Sequence, residues 1–339
     1  MANRALAGQA PGKPLNELVK HQANILAVPL TACNFDRMST QRPPSIDPVA
    51  AARWAHQLPC GASPWLHEEV ARRMEERLQW IVRQPRQWVH WGPLRGGVQA
   101  HGMLTRRYSE SECFLIEGRV EQAQAAHKLI AKSWWKRFFW SKAKARLQTP
   151  ERPVQMLWAN MALHMDANPM ALMERWHQLL DVDGFLMFSC LGPDTLRELR
   201  AVYAALGWPP PAHEFTDMHD WGDMLVGIGF AEPVMDMERI SLSFETPQRL
   251  LLELRGLGRN LGSHRFKGLR GRRWHQQLLD AIVRELSDPA DGGRIKLNFE
   301  IIYGHAFKPA QRARVSAESS ISLQQMRGEL GLDKQAQRL

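Results

Sequence analysis

Long apolar runs are missing from this sequence of 339 residues. None approaches the roughly 20 residues that a membrane-spanning helix needs, which excludes a span of that kind. Cysteine is sparse: Cys33, Cys60, Cys113 and Cys190 are scattered without metal-type spacing. They read as reduced cytoplasmic thiols rather than as a disulfide framework or a zinc site. A Gly-x-Ser-x-Gly elbow is absent and no nucleophile–base pair stands out, which argues against an acyl-enzyme mechanism. The N-terminus lacks the apolar stretch of a secretory signal, because prolines, Asn16, Glu17 and Lys20 interrupt it.

What is present is ordinary in bulk. Hydrophobic residues make up 44% and charged residues 23%, as in a soluble globular protein. The length suits one large domain or two modest ones. A net charge of +9 favours an acidic partner and leaves nucleic acid, an acidic carrier protein and an anionic lipid surface open. The thirteen tryptophans read mainly as core and groove-filling residues.

Residues 1–45 lack sustained periodicity and read as a disordered tail, with Met38 a more natural start. A folded domain is expected over 46–308, with a flexible or helical tail over 309–339. From Trp65 the spacing of Leu66, Val70, Met74, Leu78 and Ile81 predicts an amphipathic helix. Residues 120–145 continue as helix and carry Trp134-Trp135-Lys136-Arg137-Phe138-Phe139-Trp140, either a crossover helix or a basic aromatic surface. Strands at 154–158 and 185–189 flank a helix over 169–180, and Asp194 is placed to cap a helix through Arg200. Helix 220–229 stops at Gly229, and 233–244 with 295–307 reads as an antiparallel pair. The alternation of strand and helix predicts an α/β fold with a mainly parallel sheet.

Three constellations bear chemistry. Trp88, Val89 and Trp91 lead into Gly92-Pro93-Leu94-Arg95-Gly96-Gly97, then a helix, then Cys113-Phe114-Leu115-Ile116 ending at Glu117. Glycines there allow close backbone approach to a ligand, and an acid after the second strand suits ribose hydroxyls. The second constellation is the strand end Leu157-Trp158-Ala159-Asn160, where Asn160 is placed to bond a ligand and Trp158 to wall its pocket; His164 reads as a packing residue. The third is a basic, glycine-punctuated stretch, 254–274, with Arg255, Arg259, Arg265, Lys267, Arg270, Arg272 and Arg273, suited to carboxylate or phosphate. Asp217, His219, Asp220 and Asp223 read as helix-capping residues, and no metal set stands out.

The chain resembles the biotin-pathway methyltransferases that methylate the free carboxyl of malonyl-acyl-carrier protein with S-adenosylmethionine. The residues that carry the likeness are Leu157-Trp158-Ala159-Asn160-Met161-Ala162-Leu163-His164, Asp183-Gly184-Phe185-Leu186-Met187-Phe188-Ser189 and Leu191-Gly192-Pro193-Asp194-Thr195-Leu196-Arg197-Glu198-Leu199. Phe215-Thr216-Asp217-Met218-His219-Asp220 and Gly229-Phe230-Ala231-Glu232-Pro233-Val234-Met235-Asp236 complete them. The resemblance implies the Rossmann-like class I methyltransferase fold, a seven-stranded, mainly parallel sheet with an antiparallel terminal hairpin, and a basic helical insertion near 246–290. It implies a cofactor site of Gly92, Gly96, Gly97, Glu117, Trp158 and Asn160, with Arg255 and Arg259 on the substrate carboxylate. Arg265, Lys267, Arg270, Arg272 and Arg273 then form a patch for the carrier protein, and no catalytic residue is required beyond positioning.

The sequence departs from the family on the cofactor half. His90 stands where an acid ends the first strand, Leu94 where the loop has its middle glycine, and Gln155 where an acid begins the fourth strand. The family's lid tyrosine is absent, with Trp65 the candidate substitute. Two readings follow: a methyltransferase of biotin synthesis, or a non-catalytic relative that binds or regulates and has lost the cofactor.

Overall fold

A computed structural model describes residues 46–57, 61, 63–135 and 144–310, and those through Pro309 form one unit. The expected tails lie outside these residues, apart from 309 and 310, as do the side chains of the 134–140 run.

Among the described residues eight strands join in one sheet: β1 (Gln87–Trp91), β2 (Glu112–Ile116), β3 (Lys144–Arg146), β4 (Val154–Ala159), β5 (Leu180–Leu191), β6 (Ala231–Phe244), β7 (Ser287–Asp288) and β8 (Arg294–Phe307). Their order is β3-β2-β1-β4-β5-β8-β6, with the short β7 paired to β8 off this path. The first five run parallel, and β8 inserts antiparallel between β5 and β6. This is the class I methyltransferase order with its reversed hairpin. The order turns back between β1 and β4, the switch point beyond whose carboxyl ends ligands bind in open α/β sheets.

The helices are α1 (Pro48–Gln57), α2 (Trp65–Arg77), α3 (Pro93–Gly96), α4 (Val98–Arg107), α5 (Val120–Trp135), α6 (Pro169–Leu179), α7 (Arg197–Ala205), α8 (Met218–Ile228), α9 (Pro247–Leu257) and α10 (Arg272–Leu286). None is long and apolar enough to cross a membrane. Side chains alternate across the strands, as the pleat demands. Trp88, Leu115, Met156, Trp158 and Met187 point to one core, with α2, α4, α7 and α10. Val89, Phe114, Leu157, Leu186 and Phe188 point to the other, with α6 and α8. Near-continuous apolar runs in β4 and β5 follow from burial on both faces.

Two local features fix the site's supports. Arg73 pairs with Glu238 at 2.9 Å and Arg77 with Asp236 at 2.7 Å, tying α2 to the terminal hairpin. Gly304 on β8 lies so close to Phe188 that an added Cβ would stand 2.1 Å from the ring, so only glycine fits. Asp194 does not cap the helix after β5. Leu196 turns through a left-handed conformation (φ 58°) before α7, and the Asp194 carboxylate pairs instead with Arg239 at 3.2 Å.

Candidate active site

The glycine loop closes on itself. Beyond Trp91 the chain turns at Gly92 with φ 60°, a value that favours glycine. The amides of Arg95 and Gly96 both donate to Gly92 O, at 3.2 and 2.7 Å, and that of Gly97 donates to Pro93 O at 3.1 Å. Val98 N–H donates to Ser63 Oγ at 3.0 Å, and Gln99 N–H to the Glu68 carboxylate at 3.2 Å. Leu94 N–H donates to Glu117 Oε1 at 2.6 Å. Every amide from Leu94 to Gln99 therefore has a partner within the chain. The Leu94 side chain is buried at the centre of this turn.

Glu117 lies just past β2, half-buried against the loop. Burial pushes its carboxyl up to about 7, against the opposing pull of the Leu94 amide and the Arg95 charge. It stands where a ribose-binding acid is expected, yet one of its oxygens holds the loop.

Asn160, at the tip of β4, is a knot. Its amide donates to His67 O at 2.8 Å and also to Gly96 O, while Ser189 Oγ donates to its carbonyl at 2.5 Å. A Cβ on Gly96 would meet Asn160 O at 2.9 Å, so loop and strand tip are in close contact. The next residue, Met161, is held at φ 53°, an uncommon conformation for a side-chain-bearing residue. The sequence places Asn160 at a ligand; the structure spends its side chain on holding the loop, α2 and β5 together. Trp158 differs as well. Its ring is fully buried in the core beneath α2 and α4, so it supports β4 from within instead of walling a pocket.

Two of the departures are turned away from the crevice. His90 is fully buried and stacks on His101 of α4, with ring centroids 5.6 Å apart. Burial holds both imidazoles well below their usual range. Gln155 accepts from Gln87 N–H at 2.8 Å at the opposite, amino-terminal end of the strands. Leu94 alone of the three sits in the loop. Trp65 is 61% exposed, and the aromatic ring that packs beside the loop is Trp54 of α1, at 8%.

Beyond the end of β5 lies a cleft of about 510 Å³ whose walls include Leu191, Tyr203, Phe215, Leu254 and Trp274. Arg255, in the last turn of α9, lines it with an exposed side chain that has no partner among the described residues. Arg259 donates to Arg255 O at 2.5 Å and to Gly258 O at 2.8 Å, and its guanidinium lies 4.9 Å from the Trp54 ring. Arg270 stacks over Trp274 at 4.2 Å, and Arg265 is consumed by a 2.7 Å pair with Asp47. Lys267, Arg272 and Arg273 are exposed and unpaired among the described residues. His164 packs edge-on to Phe215 and burial holds its imidazole well below the usual range. Asp217 caps α8 by accepting from His219 N–H at 2.8 Å. Among the described residues no group of three His, Cys, Asp or Glu is placed to hold a metal ion.

A glycine loop with an acid at the second strand therefore adjoins an apolar cleft carrying unpaired guanidinium. Two malonyl-acyl-carrier protein O-methyltransferases are similar to this chain in sequence. That of Laribacter hongkongensis is 35% identical over 258 residues, covering 74% of this chain and 84% of its own. That of Gallionella capsiferriformans is 34% identical over 259 residues, covering 74% and 87%. The chain belongs to the malonyl-acyl-carrier protein O-methyltransferase family. No family model matches it. Among solved structures, a putative methyltransferase from Bacillus halodurans is 13% identical with a TM-score of 0.47, covering 71% of this chain and all of that one. The fold assignment rests on the strand order.

Within this family's frame the structure brings Gly92, Gly96, Gly97, Glu117 and Asn160 to one place and Arg255 and Arg259 to another. Sequence reasoning missed Arg95, Trp54 and His67. Arg95 was visible only as a loop residue; its donors reach the carbonyls of Gly256 and Leu257, 161 and 162 positions away. His67 donates to Arg95 O at 2.9 Å and stays neutral, its imidazole held at about 3 by burial.

Proposed function

We propose that this chain methylates the free carboxylate of a malonyl thioester borne by an acyl-carrier protein, using S-adenosylmethionine, as a cytoplasmic step of biotin synthesis. The observation that carries the reading is the pairing of unlike sites: the half-buried Glu117 carboxyl beside the glycine loop, and the unpaired Arg255 at the apolar cleft. The two relatives bear this activity in their names, and the match covers most of each. Free thiols at Cys113 and Cys190 are compatible with a reducing compartment.

The residues present fit the cofactor at its nucleoside end. A carboxyl suited to two hydroxyls lies at the tip of β2. Gly92, with no atom within 4 Å of where a Cβ would stand, leaves the backbone open to close approach, whereas Gly96 packs against Asn160. S-adenosylmethionine, when bound, supplies an electrophilic methyl group. Glu117 would hold the ribose, trading the Leu94 amide for a hydroxyl. Arg255, helped by Arg259, would hold one oxygen of the substrate carboxylate. That nucleophile is already ionised at neutral pH, so no base has to be supplied. Alignment and exclusion of water are then the whole task, and the apolar cleft walls serve the second. Lys267, Arg272 and Arg273 would meet the acidic carrier, with Arg265 and Arg270 acting through the loop they brace.

Complementation of a biotin-auxotrophic strain lacking its malonyl-carrier methyltransferase tests the reading. Growth without biotin is expected. Failure to grow with the protein soluble and abundant would favour a non-catalytic relative.

A further inference from the structure

Arg95 belongs to the glycine loop, yet its side chain serves the substrate side. Its guanidinium donates to Gly256 O at 3.0 Å through both terminal nitrogens and to Leu257 O at 2.8 Å. These are carbonyls at the carboxyl end of α9, where the helix leaves acceptors unmatched and where positive charge is favoured. Arg255 is carried by that same last turn. The backbone of Arg95 is equally committed. Its amide donates to Gly92 O at 3.2 Å and its carbonyl accepts from His67 at 2.9 Å. The preceding amide, that of Leu94, is the one Glu117 holds. A third element meets them: the guanidinium groups of Arg95 and Arg259 lie 5.4 and 4.9 Å from the ring of Trp54 on α1.

Resting on the methyl-transfer reading, we propose that Arg95 is a positioning residue that joins the cofactor loop to the substrate helix, so that filling either site tightens the other. When Glu117 gives up the Leu94 amide to a ribose, the turn holding Arg95 shifts. The end of α9 follows through the two carbonyls it caps, and Arg255 with it. Trp54, close to guanidinium groups from both sites, keeps α1 in register with both. Such coupling is reciprocal in binding free energy, whichever ligand comes first.

The test is calorimetric titration of the full chain with S-adenosylhomocysteine, alone and with saturating malonyl-carrier protein, and the reverse titration. Wild-type protein should show each ligand tightening the other by roughly tenfold. Arg95→Ala should bring that factor close to one while each ligand alone still binds within a few-fold of wild type. Arg95→Lys, which keeps the charge but not the fork over two carbonyls, should retain only part of it. A merely structural Arg95 would weaken both ligands and leave their ratio intact, which overturns the inference. A wild-type factor of one, with both ligands binding, overturns it too and spares the methyl-transfer reading. No binding of S-adenosylhomocysteine by wild-type protein overturns both. Because the wild-type factor is itself decisive, a variant that fails to fold does not rescue the idea.

Discussion

The two halves of the crevice treat their polar groups in opposite ways. On the cofactor side each amide from Leu94 to Gln99 is already bonded, and the Asn160 side chain is bonded through both its nitrogen and its oxygen. On the substrate side Arg255 lines an apolar cleft with its guanidinium unpaired among the described residues. A site with spare polar capacity can take a ligand as it stands, because nothing has to be broken first. A self-satisfied site binds by exchange, and its affinity is the difference between bonds lost and bonds gained.

The largest break in that comparison should come from Arg255→Ala. Losing a hydrogen bond to a charged group costs roughly 1.5–3 kcal/mol, or about one to two decades in kcat/KM for the malonyl carrier. Affinity for S-adenosylhomocysteine alone, without the carrier, should hold within a few-fold; a parallel fall in both would show that Arg255 also supports the cofactor side. Leu94→Gly should act the other way on the closed side. It clears the centre of the loop and should tighten S-adenosylhomocysteine by about tenfold, while removing a buried leucine costs about 2–5 kcal/mol of stability. Calorimetry and thermal melting on one sample measure both, and weaker binding would contradict a crowded loop.

A pH series sharpens the contrast further. The Glu117 carboxyl is pushed up to about 7 by burial, so it is largely protonated below that pH and a poor acceptor for two hydroxyls. Affinity for S-adenosylhomocysteine should rise with pH, by up to about tenfold per unit below 7, and level off above it. Glu117→Gln should bind weakly and flatten the profile. The smallest expected effect is on docking. Replacing Lys267, Arg272 and Arg273 by alanine should raise KM for the malonyl carrier about three-fold and weaken its salt dependence, leaving malonyl-pantetheine unaffected.

Much of the fold was legible. The terminal hairpin shows as two long strands, 233–244 and 295–307, and the structure extends them only to Ala231 and Arg294. Gly229 ends α8 in the left-handed conformation its position suggested (φ 110°). Buried parallel strands such as β4 announce themselves through apolar runs. The acid past β2 was legible for the same reason: spacing along one βαβ unit is local. What was not legible depends on distant partners. Nothing near Asn160 indicates that its amide will meet the carbonyl of His67, 93 residues earlier. Arg95 likewise acquires its meaning from α9, and Trp54 from two arginines on separate loops. Trp158 was misplaced because a strand end gives a side chain's row without its face, and the pleat turned this ring inward.

Titration of the full-length protein at pH 8 with S-adenosylhomocysteine tests the central claim most directly. Saturable heat with a micromolar dissociation constant is the predicted result, with Glu117 ionised and free to exchange the Leu94 amide for a ribose. No heat at millimolar ligand would contradict it and leave a methyltransferase scaffold whose loop no longer opens.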